Sequence, residues 1–551
     1  MSQTTSKDSK QIKLKSTLVS IQQATRFNPN YYYPLSLHYL KAYANKALTD
    51  GISISIKDYS IEEAPNHIIY DLLKDSPDVI GFSSYIWNIQ KVLGISHLLK
   101  KLHPTVKIVL GGPQVTATAD AILTENEWVD VVVQGEGEQT FAELLKYYRD
   151  NNFGIEEIQG ISYRTHGKIQ SNPARPLLEN LDDIPSPFNE GIDDESHTIL
   201  IETQRGCPFE CGFCSYHKNF KSVRNFSLER VKKDLSHLIG SGVKRLFLAD
   251  PTFNLNPKRA KEILKFIGSI NNKGTVINTE LRAELLDQET VDLAEKAGIT
   301  FLEIGLQSTN PVTLELIGRA TNLIKFENGI RLLEKSKIQY VIQLIIGLPG
   351  DSLNTFKNSM DYALSLASDK LQVFELQLLP GSAIYDNGDQ YGMLFHLTPP
   401  HNVIQNNTFS YIDIVKAKLL YRELFLIYIR RNYAPLAKLS DLRPSELIET
   451  WVAWREAQTG ISLSDFERSG ALKRLRLFSR FMKELLIQNS SSPLTRVSIS
   501  AKCDLLAWQI VGKHLIKSIR LLLGGGWHEM IRKIKNVRRS TGYLDPIDNF
   551  S

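Results

Sequence analysis

Three of the chain's four cysteines, Cys207, Cys211 and Cys214, sit in one loop with the spacing C-x3-C-x2-C, and only Cys503 lies elsewhere. Thiolates select soft metals and iron–sulfur clusters. A cubane [4Fe–4S] cluster held by three thiolates leaves one iron without a protein ligand. That open iron can bind a bidentate small molecule and pass it an electron. Two blander uses compete. A structural zinc takes four ligands, with His217 as the available fourth, and three thiols can also be unrelated core residues. The dense spacing, Gly206, Gly212 and the aromatic Phe213 favour the cluster. Any auxiliary cluster needs at least three more cysteines, so the chain has thiols for one cluster. Cys503, on an apolar helical stretch, reads as a core residue.

The C-x3-C-x2-C signature, with Phe213 just before its third cysteine, resembles that of radical S-adenosylmethionine (SAM) enzymes. The resemblance implies that the open iron binds the amino and carboxylate groups of SAM. It also implies that reduction of the cluster splits the sulfonium to a 5′-deoxyadenosyl radical.

The rest of the chain must position such a loop. At 551 residues it exceeds what one core organises and predicts roughly two to four domains. Apolar content of 42% and charged content of 23% are ordinary for a globular protein. A formal charge of +5, from 65 basic and 60 acidic residues, is too mild to argue for nucleic acid. Residues 1–15 are polar, read as a disordered tail, and lack the apolar stretch of a signal peptide. No apolar run approaches the roughly 20 residues that span a bilayer. Few cysteines and no export signal point to the reducing cytoplasm.

Residues 16–150 alternate short apolar runs with helical patterns. Strands are expected at Leu18–Ile21, Ile52–Lys57, Val79–Ser83, Val106–Leu110 and Val129–Val133, and helices at Leu35–Leu48, Ile68–Leu73, Val92–Leu102 and up to Tyr148. Repeated βα units of this length predict a doubly wound, Rossmann-like parallel sheet, with ligands at the carboxyl ends of its strands. Those ends carry Ser83, Ser84, Tyr85 and Trp87, then Gly111, Gly112 and Pro113, then Gln134, Gly135, Glu136 and Gly137. No G-x-G-x-x-G fingerprint is present. The arrangement looks like the cobalamin-binding domain that precedes the radical SAM core in one large subclass, and the resemblance implies that these residues hold cobalamin. His38, His67, His97 and His103 all lack the D-x-H-x-x-G context of a cobalt ligand. The resemblance then implies cobalamin without a histidine ligand, with Arg26, Tyr85 or Trp87 able to face the cobalt.

Residues 151–197 read as a linker, with a β-like segment Gly160–Arg164 and a proline-rich crossing Leu181–Pro187 that favours an extended path. From 198 to 400 come six βα-like repeats, whose strands are expected near Ile199–Thr203, Arg245–Ala249, Val276–Thr279, Phe301–Ser308, Tyr340–Ile346 and Leu371–Gln377. Six is the count of the partial (β/α)6 barrel of radical SAM enzymes, and chemistry belongs at the C-terminal strand ends. Roles carry over by resemblance. Cys207, Cys211 and Cys214 ligate the cluster, and Phe213 contacts adenine. Asp250 lies in the loop supporting the SAM amino group. Glu280 and Arg282 fill an E-x-R position able to pair with the SAM carboxylate or ribose. Gln307 and Ser308 match G-[IL]-[EQ]-S, and Gly347 lets the chain approach the adenosine.

Residues 401–551 form a helical domain, with helical periodicity at Ile412–Ile429, Ser445–Ala457, Leu472–Leu486 and Leu505–Leu523. Its aromatics Tyr421, Phe425, Trp451, Trp454 and Trp508 read as packing, and the basic stretch Met530–Arg539 as a solvated face. The fold expected is thus α/β: a cobalamin-binding Rossmann-like domain, a radical SAM barrel and a helical C-terminal domain. The resemblance implies a cobalamin-dependent radical SAM methyltransferase acting on an unactivated carbon. The alternatives are a cyclase or rearrangement enzyme with the same cofactors but no methyl transfer, and a catalytically silent cobalamin or redox sensor. A small-molecule or peptide substrate and a low-potential electron donor such as flavodoxin or ferredoxin would be the partners.

Overall fold

The computed structural model describes residues 13–24, 31–189, 198–216, 222–366, 370–430, 434–488, 500–507 and 509–510. Arg26, His217, Trp508 and the basic stretch 530–539 lie outside the described residues. The chain divides into two compact units, Met1–Tyr362 with Leu371–Ala417, and Ala363–Lys370 with Lys418–Ser551.

The first unit opens with a sheet ordered β2-β1-β3-β4-β5-β6-β7. Its strands are β1 (Leu14–Gln22), β2 (Ile52–Ser60), β3 (Val79–Ser83), β4 (Lys107–Gly111), β5 (Val131–Val133), β6 (Ile161–Thr165) and β7 (Lys168–Ser171). The helices between them include α1 (Leu35–Ala47), α2 (Pro65–Leu73), α3 (Ile89–Leu102), α4 (Pro113–Thr116), α5 (Ala119–Glu125) and α6 (Glu138–Asp150). Strand side chains alternate between faces, and both faces are covered. Val19, Ile80, Ile108 and Val132 pack under Ile68, Leu72, Val92 and Leu99 on one side. Leu18, Val109, Val131 and Val133 pack under Leu37, Ala44, Phe141 and Leu145 on the other. Burial on both faces is why these strands read as unbroken apolar runs.

Two expected boundaries move. The segment read as linker at Gly160–Arg164 becomes β6, antiparallel to β5 through Val131↔Tyr163 and Val133↔Ile161, and β7 pairs outside it. The sheet therefore runs to Ser171 rather than ending at 150. At its start, Leu14 and Lys15, placed in the expected tail, are already paired with Ile52 and Ser53.

The second sheet is the expected six-stranded parallel one, ordered β15-β14-β13-β12-β11-β8. It comprises β8 (Ile199–Ile201), β11 (Arg245–Leu248), β12 (Val276–Leu281), β13 (Ile299–Gln307), β14 (Gln339–Ile346) and β15 (Leu371–Glu375). Every pairing within it is parallel. Two short antiparallel pairs accompany it, β9 (Gln204–Arg205) with β10 (Arg224–Asn225) between β8 and β11, and β16 (Leu394–Phe395) with β17 (Val403–Gln405) after β15. Residues 401–417, expected in the C-terminal domain, belong to this unit. Val403 N–H donates to Leu376 O at 2.9 Å, and Asn406 Nδ2 donates to Gly347 O at 2.9 Å.

The second unit contains helices Pro444–Thr459, Leu463–Arg468 and Ala471–Gln488. Trp451 is fully buried at its centre, with the rings of Phe466, Phe478 and Phe481 edge-on at 5.3–5.4 Å. Cys503 is buried as expected of a core residue. No helix among the described residues is long and apolar enough to cross a membrane.

Candidate functional site

The cysteine loop leaves the end of β8, and its departure is fixed by Asp250 just beyond β11. Asp250 Oδ1 accepts from Thr203 N–H at 2.7 Å and Gln204 N–H at 3.1 Å, and Oδ2 accepts from Thr203 Oγ1 at 2.6 Å. The side chain is 1% exposed. Burial pushes its carboxyl up to about 6 although these bonds pull the other way. Asp250 is therefore committed to the turn that launches the loop.

Within the loop, Cys211 is buried and Cys207 and Cys214 are partly so. Cys214 N–H donates to Cys211 O at 2.9 Å. Burial pushes the Cys207 thiol up, and the neighbouring Cys211 adds to the rise. Among the described residues no His, Cys, Asp or Glu group is gathered around a single metal point. The loop docks on the core through Gly212 N–H to Ile317 O at 2.8 Å and Ile384 N–H to Gly212 O at 2.9 Å.

The other expected SAM residues divide. Arg282, at the end of β12, lies 4.1 Å over the Phe209 ring of the cysteine loop. It pairs with Glu284 at 2.9 Å and donates to Ala320 O at 2.7 Å. Glu280, two residues earlier, does not pair with it. Glu280, exposed near the end of β12, stands in register with Glu303 of β13. Desolvation by the surrounding protein and then the Glu303 charge push it up to about 7. Gln307 adopts φ +72°, and its buried Oε1 has no hydrogen-bond partner. Ser308 is fully buried, accepting from Asn310 N–H at 3.1 Å and lying 3.3 Å from Asp351 Oδ1. It shapes the turn rather than facing a ligand. Gly347 is required by packing: a Cβ there would lie 2.4 Å from Val403 Cγ1. Phe213 is half-buried in the loop.

The carboxyl ends of the N-terminal sheet open onto a cavity of about 400 Å³. Ser83, Tyr85, Gly111, Gly112, Pro113, Gly135, Glu136 and Gly137 line it. Leu18, Gly81, Val109, Val133 and Phe141 make an apolar floor, and Glu202, Arg205, Ser215 and Tyr216 of the cysteine loop make the opposite wall. Three expected residues, Ser84, Trp87 and Gln134, are not part of the lining. Ser84 is fully buried, its N–H donating to Gly111 O at 2.7 Å. Trp87, 40% exposed, stacks on Tyr85 at 4.4 Å and 8°. Gln134 donates to Thr116 O at 3.2 Å.

The two walls are joined by buried charge. Arg205 Nη1 meets Glu136 at 3.0 Å, Nη2 meets Glu138 at 2.7 Å and Nε meets Glu202 at 3.0 Å. Arg224 adds a second guanidinium on Glu136 at 2.8 Å.

The chain matches the model of the radical SAM superfamily over residues 201–363 and that of the B12-binding domain over residues 28–145. The chain thus carries a radical SAM region preceded by a B12-binding region. It is 28% identical over 427 residues to the uncharacterised methyltransferase PH0819 of Pyrococcus horikoshii, covering 76% of this chain and 89% of that one. It is 26% identical over 384 residues to the cobalamin-dependent radical SAM methyltransferase TokK of Streptomyces tokunonensis, 66% of this chain and 56% of that one. The chain thus spans little more than half of TokK. Anaerobic magnesium-protoporphyrin IX monomethyl ester cyclases also match, the Rubrivivax gelatinosus protein at 26% identity over 59% of this chain and 60% of that one. Among solved structures, the cobalamin-dependent SAM radical enzyme OxsB superposes with a TM-score of 0.62 at 16% identity, covering 94% of this chain and 81% of that one. At that identity the likeness is one of fold.

The matched regions imply a [4Fe–4S] cluster, SAM and cobalamin, and the residues present fit them. Three thiols occupy one loop. Two buried polar atoms near it, Gln307 Oε1 and Arg319 Nε, lack partners, as befits a face awaiting a polar ligand. On the cobalamin side, Gly135 at φ +77° has open space where a Cβ would stand, so backbone can approach a flat macrocycle over an apolar floor.

Sequence reasoning missed Asn88, whose side chain accepts from Tyr85 N–H at 2.8 Å and donates to Ser83 O at 2.9 Å, fixing the loop after β3. It also missed Arg205, Glu138, Glu202, Arg224 and Arg319. For Arg205 and Glu138 the signal was charge set among glycines, at Arg205-Gly-Cys207 and Gly135-Glu-Gly-Glu138.

Proposed function

We propose that this protein transfers a methyl group to an unactivated carbon of a small-molecule or peptide substrate. The cavity walled on one side by the strand ends of the B12-binding domain and on the other by the cysteine loop carries this reading. Bound there, the cluster and SAM would supply radical chemistry for hydrogen abstraction, and cobalamin would supply methyl-transfer chemistry. Cys207, Cys211 and Cys214 hold the cluster. Arg282 and Gln307 offer charge and hydrogen bonds to SAM beside Phe213, while Asp250, Ser308 and Gly347 position the turns that carry them. Gly111, Gly112, Gly135 and Gly137 let backbone close on cobalamin, with Tyr85 and Trp87 as the aromatic platform at its rim. Arg205 and Glu136 keep the two walls in register, so that both cofactors face one substrate. A low-potential carrier such as flavodoxin or ferredoxin provides electrons.

The experiment is turnover of candidate substrates with SAM deuterated at its methyl group. Label in product supports methyl transfer. 5′-Deoxyadenosine without label would replace it with cyclisation or rearrangement, and neither product would make the protein a sensor.

A further inference from the structure

Arg319 reaches the cysteine loop from across the barrel. The helix Pro311–Leu316 ends in Ile317-Gly318, and this turn lies directly on the loop. Gly318 has φ +61°, and a Cβ there would come within 2.7 Å of Glu210 O. Ile317 O accepts from Gly212 N–H at 2.8 Å. The next residue, Arg319, thereby brings Nη1 to 3.8 Å from Cys211 Sγ. Nη2 donates to Gly305 O of β13, and Nε is buried without a partner. Arg282 braces the same turn through Ala320 O at 2.7 Å. The guanidinium is anchored by Gly305 O and aimed at a ligand sulfur.

The potential of an iron–sulfur cluster follows its net charge and the hydrogen bonds to its sulfurs. Three thiolates leave an oxidised [4Fe–4S] centre with net negative charge, and the incoming electron adds another. A fixed cation in a water-poor site stabilises the more negative state more strongly, and an N–H donor to thiolate sulfur acts in the same direction.

We propose that Arg319 sets the reduction potential of the cluster, its guanidinium raising it into the range of a flavodoxin- or ferredoxin-type one-electron carrier. The step is transfer of one electron from that carrier to the cluster; no covalent bond is made or broken and no proton moves. The inference rests on Cys207, Cys211 and Cys214 being the cluster ligands. Arg319 is a positioning residue, acting through Cys211.

The test is an EPR-monitored redox titration of the reconstituted full chain, without substrate, for wild type, Arg319→Gln and Arg319→Lys. Gln retains a donor and loses the charge; Lys retains the charge. For Arg319→Gln, the reduced-to-oxidised ratio at the wild-type midpoint should fall about tenfold, a shift of about 59 mV to lower potential for a one-electron couple, with cluster iron retained. Arg319→Lys should recover most of it. An unchanged midpoint in Arg319→Gln, or an equal shift in Arg319→Lys, would overturn the proposal. So would loss of cluster iron in Arg319→Gln, which would assign the guanidinium to assembly. A wild-type chain without a [4Fe–4S] signal would instead refute the ligand assignment beneath it.

Discussion

Arg205 Nη1 lies 3.0 Å from Glu136 Oε1, joining the residue two before Cys207 to the loop after β5. The two are 69 positions apart in the chain. Around this contact the charges are nearly all buried. Burial raises Glu136, but Arg224 and Arg205 outweigh it and leave its carboxyl lowered. Burial dominates at Glu202, whose carboxyl stays raised despite Arg205. The wall of this cavity is thus an ionic network with little water to screen it.

Arg205→Gln leaves Glu138 and Glu202 buried without their shared cation. Breaking a buried pair from one side costs about 3–5 kcal/mol. Urea titration at neutral pH should show that loss. Part of it should return at lower pH: a buried carboxylate with a raised pKa takes up a proton in the folded state, so stability falls as pH rises through that range. A midpoint within error of wild type would show that the network is not what holds the walls.

Gly112 sits at φ +116°, and a Cβ there would lie 2.6 Å from Ser84 O. Gly112→Ala should therefore displace the β3 and β4 loops against each other. Anaerobically reconstituted variant should lose cobalamin absorbance while keeping its cluster, because the cysteine loop is anchored elsewhere, by Asp250 and Ile317. Wild-type cobalamin content would count against the assigned mouth.

Much of this was legible in sequence, for physical reasons. Buried parallel strands such as Val79–Ser83 are continuous apolar runs, and Gly111-Gly-Pro113 marks a strand end wherever the sheet lies. The segment at Ile161–Thr165 looked like linker because its partner, Val131–Val133, supplies the pairing from 30 residues away. Gly347 was read as a ligand approach, yet its missing side chain makes room for Val403. The Arg205 cluster was invisible because an isolated Glu or Arg shows no partner until the fold supplies one.

Asp250 gives a pH signature. Its folded pKa of about 6 stands above the unfolded value of 3.8. The folded state binds the extra proton between these limits, so the site's contribution falls as pH rises from about 4 to about 6 and is flat above. The full swing is on the order of 3 kcal/mol. Asp250→Asn can still accept from Thr203 N–H and turn its amide to Thr203 Oγ1, so it should flatten that slope and retain the cluster. Asp250→Ala strands two buried N–H groups at about 1–3 kcal/mol each and should lower both stability and cluster content. Equal slopes in wild type and Asp250→Asn, followed by chemical denaturation across this range, would contradict the assignment.

One chain is expected to hold a three-cysteine cluster and cobalamin against a shared cavity. Anaerobic reconstitution with iron, sulfide and hydroxocobalamin, followed by metal and cobalamin quantification, tests it most directly. One [4Fe–4S] cluster and one cobalamin per chain are predicted, with Cys207→Ala/Cys211→Ala/Cys214→Ala losing the cluster and keeping cobalamin. A chain that takes up no cobalamin, or a triple variant that keeps its cluster, would contradict the account.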